Sequence, residues 1–179
     1  MLQRRTTSRA LWAVMLWSAA GMTTFSARGV AAQQSPAQAV ASVRVSGAGL
    51  KTLTLTAADL RSMPRASART ESNGIVSTYE GVWVAEVLKK AGVPLGDRLR
   101  GAALSTYVLA RASDGYQVLF SLGELDPDMS GGQVLLADQA NGASLFGETG
   151  AFRLVVASDK RGARSVRMLS ELQIVSLRP

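Results

Sequence analysis

The chain has 179 residues, of which 47% are apolar and 18% are charged, and its formal net charge at pH 7 is +7. This length and composition exclude a disordered chain and predict one globular domain with a sizeable core, with room for a leader. The chain contains neither cysteine nor histidine. We therefore expect no haem, no zinc and no side-chain metal cluster, and a disulfide framework and a Ser-His-Asp triad are excluded.

Residues 1–32 have the features of a signal peptide. Arginines 4, 5 and 9 form a positively charged start, and residues 10–22 are apolar. Residues 30–32, Val-Ala-Ala, form a small-residue cleavage site. The apolar run is shorter than the about 20 residues that a membrane-spanning helix needs. We expect export to the periplasm or secretion without membrane insertion after cleavage; an uncleaved anchor is the alternative.

Removal of this leader lowers the net charge of the chain. Four of the 20 Lys and Arg residues precede Gln33 and none of the 13 acids does, so 16 basic and 13 acidic residues remain, a net charge of +3. Aromatic residues are not interleaved with the basic ones as in a stacking platform for single strands. The sequence therefore predicts no nucleic-acid partner. Residues 33–41 predict a flexible mature N-terminus, and residues 42–179 predict the folded domain.

The first half of this domain predicts two hairpins and two helices. Apolar residues alternate with polar ones over 43–45 and 53–55, and Thr56 with Asp59 forms a capping box for a short helix. Ser72-Asn73-Gly74 predicts the turn of a second hairpin. A helix is predicted over residues 84–91, because its apolar residues share one face and Gly92 follows.

The second half begins with a third predicted hairpin. Residues 107–112 and 117–120 flank the turn Ser113-Asp114-Gly115, and Ser121 with Glu124 forms a second capping box. Apolar runs at 134–137 and 152–157 then flank an Asn-Gly turn. Short strands interrupted by short helices, without regular βαβ alternation, predict an α+β domain built on a mixed sheet.

A basic run follows the last of these strands. It contains Lys160, Arg161, Arg164 and Arg167, interrupted by Gly162. Arginine matches phosphate oxygens bidentately, and glycine lets the backbone approach a ligand closely. The run could therefore hold a phosphate or another small oxyanion. The alternative is a solvated loop whose charge discourages association between sheets.

Residues 134–169, preceded by Asp-Gly-Tyr and Ser-Leu-x-Glu-Leu-Asp-Pro within residues 114–127, resemble the molybdopterin-binding domain of sulfite-oxidase-like oxidoreductases. The resemblance covers roughly residues 79–177. In that family a Gly-Ala-Arg-Ser-Val-Lys-Trp segment wraps the pterin and its phosphate. Residues 162–168 match it, with Arg167 and Met168 in place of its last two residues. The resemblance implies that fold, and molybdopterin as the cofactor of a basic run comprising Lys160, Arg161, Gly162, Arg164, Ser165 and Arg167.

The resemblance also implies a substrate-binding residue. Tyr116 follows the Asp114-Gly115 turn, where the resembled enzymes place a tyrosine near the substrate oxyanion. The alternative is a strand tyrosine that packs across its hairpin. In the same enzymes a cysteine thiolate completes the coordination of molybdenum, and this chain has no cysteine. No catalytic residue is therefore assigned; an enzyme of this family would be a molybdopterin-dependent oxidoreductase.

Three functional hypotheses follow. The first is an exported molybdopterin-binding-domain protein whose basic loop holds a pterin cofactor or small oxyanion. The second is a non-catalytic binding or partner module that kept the fold and lost the molybdenum site, with a small ligand or a periplasmic protein as its partner. The third is a sensor of small anionic ligands that binds no pterin.

Overall fold

The computed structural model describes residues 40–131 and 133–177. The predicted signal peptide and nearly all of the predicted flexible segment lie outside these residues. Among the described helices, none combines the length and apolar character that crossing a membrane requires.

The described residues form ten strands and four short α-helices. The strands are β1 (Ser42–Gly47), β2 (Leu53–Thr56), β3 (Ala66–Ser72), β4 (Ile75–Trp83), β5 (Thr106–Ala112), β6 (Gln117–Ser121), β7 (Val134–Ala140), β8 (Ala143–Ser144), β9 (Arg153–Val156) and β10 (Leu169–Ser176). The helices are α1 (Ala57–Arg61), α2 (Val84–Ala91), α3 (Leu122–Leu125) and α4 (Pro127–Ser130).

The strands divide between two five-stranded sheets. The first has the order β2-β1-β10-β5-β6, in which β1 runs parallel to β10 and the other neighbours are antiparallel. The second has the order β3-β4-β7-β8, with β9 also paired to β7, and is antiparallel throughout. The predicted α+β class is confirmed, with the strands in two sheets. Both sheets contribute to one apolar core, since residues such as Val45 and Leu172 of the first pack with Val82 and Leu154 of the second.

The local predictions from capping and turn residues are confirmed. Thr56 and Ser121 each form a capping box, with Asp59 and Glu124 respectively. Helix α2 ends at Gly92, whose φ of 89° is the left-handed conformation that glycine adopts without strain.

A bulge fixes how β4 meets β7. Glu80 pairs with Gln139 but Gly81 pairs with Ala137, so Asp138 is the extra residue of β7. A Cβ atom at Gly81 would lie 2.0 Å from the backbone oxygen of Leu136, which only glycine avoids. The bulge sets the position of the adjacent part of β4, which lines the cleft described below.

Candidate ligand-binding site

Residues 158–167, here called the basic loop, connect β9 to β10. The loop folds back on β9: Leu154 N donates to Val166 O over 2.8 Å, and Val156 N donates to Ser165 Oγ over 3.1 Å. Gly162–Arg164 forms a single 3-10 turn, closed by a 3.0 Å hydrogen bond from Ser165 N to Gly162 O. Ser165 is therefore part of the loop's own scaffold.

Arg164 ties the basic loop to α3. Its Nε and Nη2 donate to the two carboxylate oxygens of Asp159 over 2.8 and 2.6 Å, and its Nη1 donates to Glu124 Oε1 over 2.5 Å. The guanidinium also lies over the ring of Phe120, 5.5 Å from its centroid. Donation to Asp159, and after it donation to Glu124, raises the pKa of Arg164. The same hydrogen bonds to Asp159 lower the pKa of its carboxyl. Arg164 thus closes the loop on the domain; its binding of a cofactor stays a prediction.

A cleft of about 700 Å³, here called the basic cleft, lies between the basic loop and the β3–β4 hairpin. The hairpin contributes residues 69–73 together with Ile75, Ser77 and Tyr79, and β9 contributes Arg153 and Val156. From the predicted set, the loop contributes Lys160, Arg161, Gly162 and Ser165.

The basic cleft has an excess of unpaired positive charge. Four cations line it: Arg69, Arg153, Lys160 and Arg161. In the described part of the chain, the ion pairs within 4 Å involve other cations, namely Arg65, Lys89, Arg111 and Arg164. Two acids, Glu71 and Asp159, line the cleft, and Asp159 is already bound by Arg164. The arrangement favours an anionic ligand.

Arg153 and Tyr79 contact each other within this cleft. Arg153 Nη1 donates to the Tyr79 hydroxyl over 2.9 Å, and the guanidinium lies 5.1 Å from the centre of the Tyr79 ring. Arg153 Nε is buried and has no hydrogen-bond partner among the described residues. Removing a charge from water is costly unless a counter-charge is supplied, so a bound anion would stabilise this arginine.

Sequence reasoning missed Arg69, Tyr79 and Arg153, because each lies within a strand and away from the basic run. The available signal was Arg153 itself, a charged residue at the head of the apolar run Leu154 to Val156.

Two further predicted residues, Tyr116 and Arg167, line a separate cleft beside the basic loop. A smaller cleft of about 240 Å³ is lined by Asp114, Tyr116, Gly162, Ala163, Ser165 and Arg167. The Tyr116 hydroxyl donates to Ala163 O over 2.7 Å, and the residue is 48% exposed. Tyr116 therefore contacts the basic loop through its hydroxyl. The structure brings Tyr116 and Arg167 together, separately from Lys160 and Arg161, while Gly162 and Ser165 line both clefts; the binding roles of all these residues stay predictions.

Comparisons with known proteins agree with this architecture. The family model described as "Oxidoreductase molybdopterin binding domain" matches residues 32–178. No curated protein sequence matches the chain. Among solved structures, the chain is similar to the sulfane dehydrogenase SoxCD from Paracoccus pantotrophus, with a TM-score of 0.57 and 22% identity over 78% of this chain. It spans 39% of the length of that SoxCD chain. The chain belongs to the oxidoreductase molybdopterin-binding-domain family and has a sulfite-oxidase-like fold.

Proposed function

We propose that the protein is exported and that its basic cleft binds the phosphate end of a pterin cofactor or another small oxyanion. The observation that carries this proposal is Arg153, which is held against Tyr79 and has no carboxylate partner among the described residues. Lys160 and Arg161 of the loop and Arg69 of β3 add positive charge around the same cleft. Family membership makes molybdopterin the pterin to test first.

The residues fit one end of a molybdenum cofactor and not the other. Unpaired guanidinium groups suit its phosphate, because their planar fork matches phosphate oxygens. A thiolate ligand for the metal cannot be supplied, since the chain contains no cysteine. Within residues 40–131 and 133–177, no three His, Cys, Asp or Glu residues are close enough together to hold a metal ion. We therefore assign these residues to anion binding and derive no redox step from them.

The missing thiolate favours a second candidate, a non-catalytic module that binds an anion or a protein partner in the periplasm. This candidate needs the cleft and its cations but no metal ligand. The sulfane dehydrogenase activity named for SoxCD belongs to a much longer chain and is not proposed for this protein.

The first experiment measures the cofactor. The full-length chain is expressed in a host that makes and exports molybdenum cofactors, and the exported protein is purified. Molybdenum is measured by elemental mass spectrometry and pterin by fluorescence after oxidation. Near-stoichiometric pterin, lost in Arg153→Gln, is the expected result. Phosphate binding without pterin would favour the second candidate, and an absence of both would refute the proposed cleft function.

The mass of the exported protein tests the predicted start at Gln33.

A further inference from the structure

The β3–β4 hairpin presents a row of hydroxyl groups to the basic cleft. Thr70 of β3 lies directly opposite Ser77 of β4, so their side chains share one face of the hairpin. Both residues line the cleft, as does Tyr79, two residues further along β4 and on the same face. At about 3.3 Å per residue, Ser77 lies about 7 Å along the strand from Tyr79. The row therefore starts beside Arg153 and extends away from it.

Two of these hydroxyls, those of Thr70 and Ser77, are not used by the fold. Thr70 and Ser77 are half-buried, and neither hydroxyl has a hydrogen-bond partner among the residues that the structure describes. The hydroxyl of Tyr79 accepts from Arg153 and can still donate. Other hydroxyls of the domain are satisfied internally, such as Thr149 Oγ1, which donates to Phe146 O over 2.7 Å. A ligand that supplies hydrogen bonds to half-buried polar groups of this kind stabilises its own complex with the protein.

We propose that the basic cleft selects phosphate monoesters with a hydrogen-bonding organic part over inorganic phosphate. The phosphate would lie at Arg153 and the basic loop, and the organic part would lie along Thr70 and Ser77. A sugar phosphate and a pterin phosphate share this chemistry. The inference rests on the proposed anion-binding function and adds the class of ligand and two specificity-determining residues.

Isothermal titration of the full-length chain with orthophosphate and with ribose 5-phosphate tests the proposal. Each ligand hydrogen bond contributes a small amount of free energy, so we expect ribose 5-phosphate to bind about five- to tenfold more tightly. The double variant Thr70→Val/Ser77→Ala is expected to lose this preference and to keep its affinity for orthophosphate. Retained orthophosphate binding also shows that the variant is folded.

The matched control is Ser67→Ala/Thr78→Val. It removes two hydroxyls from the same two strands at positions that do not line the cleft. We expect it to bind both ligands as the unmodified protein does. Equal affinity for the two ligands in the unmodified protein, or a preference that survives in the Thr70/Ser77 variant, would overturn the proposal and leave anion binding intact. Binding of neither ligand would overturn this inference together with the binding of small phosphates on which it rests.

Discussion

Arg164 and Arg153 are half-buried arginines in similar settings with opposite balances of charge. Each guanidinium lies over an aromatic ring, Phe120 for Arg164 at 5.5 Å and Tyr79 for Arg153 at 5.1 Å. Arg164 is bound by two carboxylates, whereas Arg153 has only a neutral phenol. The first arginine has its counter-charge within the fold, and the second has none among the described residues. The comparison separates a residue that holds the basic loop in place from a residue that is available to a ligand.

The largest expected effect is the loss of phosphate affinity when the unpaired arginine, Arg153, is replaced. Arg153→Gln removes the charge beneath the basic cleft, and hydrogen bonds to charged groups contribute about 1.5–3 kcal/mol, so phosphate should bind about 10- to 100-fold more weakly. Stability should change little, because no carboxylate of the described residues loses a partner. Calorimetric titration with phosphate measures the loss. An unchanged affinity would place the anion elsewhere.

Replacing the paired arginine, Arg164, should lower the stability of the protein rather than its affinity for phosphate. Arg164→Gln leaves Asp159 and Glu124 without their partner. The Arg164 side chain is 41% exposed, so solvent screens both pairs, and we expect a loss of about 1–2 kcal/mol in the free energy of unfolding. Denaturant unfolding monitored by circular dichroism measures it.

Arg161→Gln is the control for this variant, because it changes an exposed arginine of the same loop that has no ion pair among the described residues. Its unfolding free energy should stay within about 0.5 kcal/mol of the unmodified protein. Equal destabilisation by the two variants would mean that the ion pairs of Arg164 do not hold the loop.

Local sequence rules predicted the elements that frame this site. Thr56 and Ser121 satisfy helix N-termini through contacts within four residues, and such contacts can be read from the chain alone. The turn at Asn73-Gly74 and the end of α2 at Gly92 follow from the conformations that these residues allow. The α+β class follows from the same short elements.

The site was only partly predictable because charge pairing depends on distant residues. Arg164 and Glu124 lie 40 positions apart, and no local pattern distinguishes Arg164 from Arg161. The contact between Arg153 and Tyr79 spans 74 positions and depends on how β4 and β9 both pair with β7. Similarly, the division of the predicted residues between two clefts depends on the path of the basic loop.

A smaller change in unfolding free energy is expected when acid protonates Asp159 and weakens its pairing with Arg164. Its hydrogen bonds lower the pKa of Asp159 below the ordinary value of about 3.9. The stabilisation is therefore complete above that value and is lost as the pH falls below it towards the lower folded-state pKa. The difference in unfolding free energy between the unmodified protein and Arg164→Gln should narrow below about pH 4. A difference that stays constant down to pH 2 would exclude Asp159 as the stabilising partner.

The smallest expected effect on phosphate affinity comes from replacing an exposed cation of the basic cleft. Lys160 lines the same cleft as Arg153 but is exposed, so water and salt screen its attraction for an anion. Lys160→Gln should weaken phosphate binding only about two- to fivefold at low salt, and the difference should shrink further at high salt. The loss caused by Arg153→Gln should depend less on salt, because Arg153 is half-buried and held against Tyr79. Titrations of both variants at two ionic strengths measure this. Equal salt dependence would mean that both cations act at long range, and that Arg153 makes no direct contact with the anion.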